Sequence, residues 1–261
     1  MTTHWERYDR HWRLLRPPLR PNAEVIASVR DLIDDGGDAP CLLLGSTAEF
    51  AALGRRIVAV DMSLPMMRTL WAAANPGQSG IQADWTRMPI RTASISHVLG
   101  DGSLNSVPFE AVLPRMLEEV VRVLGSGGAL VARVFCRPAV AETLDTIRRD
   151  VTAGKVESFH PLKWRVAMAS VQRADIAVED IRETVLAMFP DRTELCRTTG
   201  WRREEVDTIE VYAGSPAIYN FPTEAMILDL LRQHFAEVAL VRCGSYALAE
   251  RCPIIVARTA G

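Results

Sequence analysis

The sequence predicts an α/β protein: a doubly wound, mostly parallel sheet interrupted by a helical insertion. Three observations predict it. From Asn22 to about Asp150, short strands that are apolar throughout alternate with helical stripes. Strands buried on both faces belong in a parallel sheet, and alternation with helices implies right-handed βαβ units. From Pro138 to Phe221 the strand pattern disappears, and after Thr223 it returns.

Taken in order, Ala23 to Leu32 reads as a helix, with Val25, Ile26, Val29 and Leu32 on one face. Asp34 to Asp38 is a loop. Cys41-Leu-Leu-Leu44 is a buried strand ended by Gly45, and Ala48 to Leu53 is a short helix. Arg56 to Val60 is the second strand, ended by Asp61. Ser63 is an N-cap and Pro65 fits the first turn of a helix marked by Met66, Met67, Leu70 and Trp71. Gly80 to Asp84 and Ile95 to Gly100 are the third and fourth strands. A stripe from Phe109 to Leu124 predicts a long helix, a Gly125-Ser-Gly-Gly128 turn follows, and Ala129 to Phe135 is the fifth strand. In the insertion, helices are predicted over Ala139 to Val151, Leu162 to Arg173, Val178 to Phe189 and Glu204 to Tyr212, with no strong strand. Thr223 to His234 is a helix, and Phe235 to Cys243 and Glu250 to Arg258 form an antiparallel pair. The domains are therefore 1–137 with 222–261, and an insertion at 138–221. An insertion of about 80 residues in a compact fold reads as a lid or substrate cap. At the start of the chain, Trp5, Tyr8, Trp12 and Leu15 make an amphipathic stripe. It suits ordinary packing, a cover over the site, or the contact of a possible homodimer.

Composition bounds the function. The chain has 261 residues, of which 48% are hydrophobic and 24% charged, an ordinary globular balance. The 30 basic and 32 acidic residues leave a net charge of −2, which disfavours holding a nucleic-acid backbone. No apolar run approaches the roughly 18–20 residues of a membrane helix, and Met1 to Pro21 has no apolar core that a secretory signal requires. The expectation is a cytoplasmic protein with no membrane or nucleic-acid partner. The 5 cysteines are scattered with no C-x-x-C, and the 5 histidines lie far apart, so no metal site is expected. Lys155 and Lys163 are the only lysines; arginine supplies every other basic residue.

In such sheets, ligands bind beyond the carboxyl ends of the strands. The first strand ends in Gly45-Ser46-Thr47, whose glycine lets backbone approach a ligand closely. Sixteen residues on, Asp61 ends the second strand, where an acid can hold two ribose hydroxyls. Asp84 and Trp85 follow the third strand, and Gly100-Asp-Gly-Ser-Leu-Asn105 follows the fourth. Four consecutive strands thus end in small or acidic residues on one sheet edge. Read separately, the glycine is a chain turn, Asp61 a helix cap and the fourth loop a surface turn; the joint placement favours a site.

With these residues, Asn22 to Phe135 resembles a class I S-adenosylmethionine-dependent methyltransferase. Leu124-Gly-Ser-Gly-Gly-Ala-Leu-Val131 is similar to that family's L-x-P-G-G-x-L element, and the closing antiparallel strand fits its Rossmann-like seven-stranded sheet. The first loop departs from the family pattern D/E-x-G-x-G-x-G: Leu43 stands at the acidic position, and Thr47 and Glu49 replace the later glycines. The resemblance implies S-adenosylmethionine as cofactor. It implies Asp61 on the ribose diol, Met62 against the adenine, Asp84 on the adenine amino group and Trp85 beside the ring. Gly45, Ser46 and Thr47 would line the methionine part, with Asp101 or Glu49 taking the amino group. Gly100, Asp101 and Gly102 would face the sulfonium and the acceptor. The G-x-G-x-x-G turn of dinucleotide enzymes is absent.

Methyl transfer from a sulfonium is an in-line displacement that needs alignment and exclusion of water. His160 and Asp101 are the candidate bases for an acceptor that must lose a proton. The N-P-P-[YF] element of many nitrogen-directed enzymes is missing after the fourth strand. With the near-neutral charge, that points to a small-molecule acceptor. Asn105, Tyr212 and Tyr219 are its candidate contacts, within an aromatic set that includes Trp164, Trp201 and Phe221 and suits an apolar pocket or a cation. A non-catalytic domain of the same fold, serving as a binding or partner module, is the alternative reading.

Overall fold

The computed structural model describes residues 4–33, 40–53, 56–72 and 79–261; the predicted Asp34–Asp38 loop lies outside them. Among the described residues there are nine strands: β1 Cys41–Leu44, β2 Ile57–Asp61, β3 Ser79–Gln82, β4 Ile95–Asp101, β5 Leu124–Arg133, β6 Asp175–Ala177, β7 Ile218–Asn220, β8 Glu237–Val241 and β9 Ile254–Arg258. Seven form one sheet in the order β3-β2-β1-β4-β5-β9-β8, in which β9 runs antiparallel to both β5 and β8 and the other pairings are parallel. The chain reverses its direction of travel between β1 and β4, which pair directly, and this is the switch point where a crevice opens.

Two apolar layers explain the unbroken hydrophobic strands. Cys41 and Leu43 pack with Val25, Val29, Phe50 and Trp71 on one face. Leu42 and Leu44 pack with Met116, Leu117 and Val120 on the other. Successive side chains point to opposite faces, so all four β1 residues are buried, each such side chain contributing about 1.5–3 kcal/mol. The edge strands β3 and β8 are largely exposed. The caps fall where polar residues precede apolar runs. Asn22 accepts from the Val25 N–H, Ser63 from Met66 and Thr223 from Met226.

Several elements differ from expectation. The predicted helix from Phe109 begins only at Leu113, with Pro114 in its first turn, and ends at Val123. β5 pairs with β4 from Leu124 onward, carrying the glycine turn as an irregularity in the ladder. In the insertion the helices are Leu144–Thr152, Phe159–Ser170, Val178–Met188, Arg192–Thr199 and Arg203–Asp207, followed by a 3-10 turn at Thr208–Tyr212. The Arg192–Thr199 helix was not foreseen, although Asp191 caps its start and Gly200, at φ 75°, its end. β6 and β7 form a two-stranded antiparallel sheet within the insertion, where no strong strand was expected. At three residues each, they are too short to show a period of two.

A third core joins the insertion to the start of the chain. Trp5–Tyr8 is helical and Asp9–Leu14 continues as a 3-10 helix. Tyr8 and Leu15 are buried in a cluster with Phe159, Leu162, Trp164, Ile209 and Tyr212. Two asparagines tie this cluster to the sheet. Asn105 Nδ2 donates to the Phe135 and Asn220 carbonyls at 2.9 and 2.8 Å, and its Oδ1 accepts from the Phe135 N–H at 2.9 Å. Asn220 Nδ2 donates to the carbonyls of Leu104 and Val107, both at 2.7 Å.

Candidate active site

A cleft of about 430 Å³ opens over the carboxyl ends of β1, β2 and β4, a volume within the range of small-molecule sites. Its floor is the sheet edge. Gly45 adopts φ 111°, where a side chain is strained, and its missing Cβ leaves the space in front of Trp85 open. The Gly45 N–H and the Trp85 indole N–H both donate to the Val60 carbonyl, at 2.8 and 2.6 Å. That shared acceptor fixes the Trp85 ring against the first turn. Ser46 Oγ donates to Asp61 Oδ2 at 3.0 Å and the Ser63 N–H to Oδ1 at 2.8 Å. Burial pushes the Asp61 carboxyl up, against the pull of these hydrogen bonds.

Thr47, Met62, Asp84 and Gly102 also line the cleft. Met62 is 62% exposed, an uncovered apolar surface beside the Asp61 carboxylate. Asp84 is exposed at the rim, its Oδ1 accepting from the backbone N–H and hydroxyl of Thr86 at 2.8 and 2.9 Å. Gly102 has φ 68°, and a Cβ there would stand 2.7 Å from the Phe135 ring. Gly100 does not reach the cleft; it packs under Ser103, whose hydroxyl occupies the space of the missing Cβ.

Asp101 lines the cleft but is not a free base. Both of its oxygens accept from Arg133, Oδ1 from Nε at 2.5 Å and Oδ2 from Nη2 at 3.0 Å, in a fully sealed pair. Burial pushes Asp101 up while the guanidinium pulls it down. Burial opposes the Arg133 charge as well, and Asp101 outweighs that effect and keeps the guanidinium protonated. His160 is not brought to the cleft. It is buried, its Nε2 lies 2.9 Å from the Leu14 carbonyl, and desolvation, with the nearby Lys163 charge, lowers it to about 3. A neutral imidazole spent on a carbonyl holds the start of the chain against the insertion. Tyr219 lines the cleft with its hydroxyl 2.6 Å from His4 Nε2. Tyr212 is buried behind it and does not reach the cleft. Asn105 reaches the wall, but its amide is committed to the three backbone groups given above.

The roof is the part that sequence reasoning placed least well. Trp5, Tyr8, Trp12 and Leu15, the N-terminal stripe, all face the cleft, and Trp164, Tyr219 and Phe221 meet them from the insertion. Trp12 Nε1 donates to Glu49 Oε1 at 3.1 Å, and Arg20 pairs with the same carboxylate. The start of the chain is thereby latched to the turn after β1. The other Glu49 oxygen is buried without a partner, as is the hydroxyl of Ser103 at the cleft wall.

These features can be tested against the expected cofactor. A Glu49 oxygen after β1 and the Ser103 hydroxyl after β4 are buried without partners, a strained glycine clears the floor, an acid sits at the end of β2, and Met62 is an exposed apolar side chain beside it. Those groups fit a ligand with an ammonium, a ribose diol and a flat base. The fold is similar to that of class I S-adenosylmethionine-dependent methyltransferases. Residues 41–132, from β1 into β5, match the family described as the methyltransferase domain. No curated protein matches the chain.

Solved structures share the fold across nearly the whole chain. A methyltransferase from Methanosarcina mazei described as S-adenosylmethionine-dependent is 15% identical, with TM-score 0.54, covering 93% of this chain and 99% of its own. The N-methyltransferase NodS from Bradyrhizobium japonicum, solved with S-adenosylhomocysteine, is 11% identical, with TM-score 0.55 and full coverage of both chains. A Rhodobacter sphaeroides protein described as a putative Zn-dependent alcohol dehydrogenase is 13% identical, with TM-score 0.62, covering 99% of this chain and 100% of its own. Similarity at these identities establishes the fold alone. Among the described residues, no three His, Cys, Asp or Glu side chains are grouped to hold a metal ion, and no helix is long and apolar enough to cross a membrane.

Proposed function

We propose that the protein transfers the methyl group of S-adenosylmethionine to a small molecule held between the sheet edge and the aromatic roof. The observation that carries this reading is the two-part cleft: a polar floor at the carboxyl ends of β1, β2 and β4, and an apolar roof from residues 5–19 and the insertion. When bound, the cofactor supplies a methyl group already activated on a sulfonium. Asp61 would hold the ribose diol, its carboxylate aimed by Ser46 and Ser63. Met62 and Trp85 would flank the adenine, with Asp84 at the rim. Gly45, Ser46, Thr47 and the orphaned Glu49 oxygen would receive the methionine end.

The role of the roof is alignment and dryness. Displacement at a sulfonium needs the acceptor in line and water excluded. The roof side chains do both, and the Asn105–Asn220 clamp fixes the insertion over the fourth-strand loop. Calorimetry with S-adenosylmethionine and S-adenosylhomocysteine tests the reading. Micromolar binding is expected, weakened by about 1–3 kcal/mol in Asp61→Ala as charge-assisted bonds to the diol are lost. No binding at millimolar ligand, or unchanged affinity in that variant, removes the assignment.

A further inference from the structure

Beneath the roof lies a buried charge that the methyl-donor half of the site does not use. Lys163 is fully buried, and its Nζ donates to the Tyr8 hydroxyl at 2.7 Å. The ammonium lies 4.5 Å from the centroid of the Tyr212 ring, 5.4 Å from that of Tyr8 and 5.6 Å from that of Trp164. No carboxylate is paired with it among the described residues; desolvation alone lowers it, to about 7. One more polar group nearby, the Trp164 indole N–H, is sealed without a partner. Tyr8 and Trp164 line the cleft, so Tyr8 stands between this cluster and whatever occupies the roof. The rings around that space meet edge to face: Phe135 and Phe221 lie 5.4 and 5.2 Å from Trp164. Such walls favour a flat apolar guest.

We propose, building on the methyl-transfer reading, that the acceptor is a planar, largely apolar molecule bearing a phenolic or enolic hydroxyl, that Tyr8 receives this hydroxyl, and that Lys163, acting through Tyr8, takes up its proton. The proton of the acceptor O–H passes to the Tyr8 oxygen as the Tyr8 proton passes to the lone pair of the neutral Lys163 amine. One O–H bond breaks and one N–H bond forms, leaving an acceptor oxyanion hydrogen-bonded to Tyr8 and an ammonium behind it. The oxyanion then forms the new O–C bond, the departing sulfur keeps the electron pair of the broken S–C bond, and the positive charge formerly on sulfur now rests on Lys163. An amine acceptor fits less well, because its cationic form meets a buried cation. Arginine could not serve, since it does not give up its proton in proteins. In a chain with only two lysines, one occupies this position.

The groups that face Lys163 are consistent with its carrying the exchangeable proton. From the N-terminal segment come His4 and Tyr8, with Arg7 acting on His4; from its own helix, His160; from the insertion, Tyr212, with Tyr219 beside it. His4 is lowered to about 3 by burial and then by the charges of Lys163 and Arg7, so it stays neutral. His160 is likewise neutral, with Glu205 at 3.9 Å facing it and Arg16 nearby. Burial raises all three tyrosines well above their ordinary value.

The test uses para-nitrophenol, whose ionised form absorbs visible light, titrated with the full-length protein in the presence of S-adenosylhomocysteine. The bound probe should ionise about one pH unit or more below the free probe, because a cation forms behind Tyr8. Lys163→Met should abolish that shift, and Tyr8→Phe should weaken probe binding and cut turnover of a phenolic acceptor by about 100-fold. Calorimetry with S-adenosylhomocysteine on each variant checks folding. The wild-type titration needs no variant: a probe that does not bind, or that ionises as in free solution, overturns the proposal. A shift that persists in Lys163→Met overturns the role of Lys163. If S-adenosylhomocysteine itself fails to bind, the methyl-transfer reading falls; if it binds and the probe is unshifted, only the acceptor proposal falls.

Discussion

Replacing Asn105 by Ala should damage the fold before it damages chemistry. The side chain is buried and makes three hydrogen bonds, two donated to carbonyls and one accepted from the Phe135 N–H. At about 1 kcal/mol net apiece they contribute about 3 kcal/mol, and a buried Phe135 N–H left unsatisfied adds about 1–2 kcal/mol more. The expected loss is therefore about 4 kcal/mol, which in a chain of this size lowers Tm by roughly 10 °C. Asn105→Asp should do no better at neutral pH, since it forfeits both donated bonds and buries a charge. Urea unfolding followed by tryptophan fluorescence measures the loss. A change below about 1 kcal/mol would mean that the insertion is not held to the sheet through this residue, and the clamp argument would be wrong.

Other perturbations separate structure from chemistry. Arg133→Met strands the sealed Asp101 carboxylate and should cost about 3–5 kcal/mol in urea, most of it recovered when Asp101→Leu is added; a double variant no better than the single would refute the pairing. His4 and His160 are held near 3 in the folded protein against an ordinary 6.5. Between those values the unfolded chain takes up protons that the folded one does not, so stability falls as pH drops below 6.5, by up to about 1.4 kcal/mol per pH unit for each histidine. Urea midpoints at pH 7 and pH 5 should show a smaller drop in His160→Gln than in wild type, and equal drops would contradict its buried, neutral state.

The sheet was legible because each strand carries its own signal. Cys41–Leu44 and Ile57–Asp61 are apolar runs with a breaker at the end, and the residues that follow them are local in sequence and in space. For the same reason Gly45, Asp61 and Asp84 could be brought to one edge from order alone. What failed was long-range. Asp101 reads as a free acid until Arg133, one strand away, is seen to occupy both oxygens. His160 reads as a loop base, yet its Nε2 meets Leu14, 146 residues earlier. Tyr8 reads as one member of a packing stripe, and Lys163 as one of two lysines with no assigned role. Their contact spans 155 residues, and no spacing rule reaches that far. The missed Arg192–Thr199 helix is different, since the Asp191 and Gly200 caps were readable signals.

The roof joins the two ends of a long stretch of chain. His4 meets Ser215 and Tyr219 across 211 and 215 residues, so the turn that carries it waits for the last part of the insertion before it can pack. Closing so long a loop costs entropy that only the finished contact offsets, and contacts this distant in sequence form late. The floor, built from neighbouring βαβ units, needs no such wait. The sheet edge should thus form before the aromatic roof closes over it.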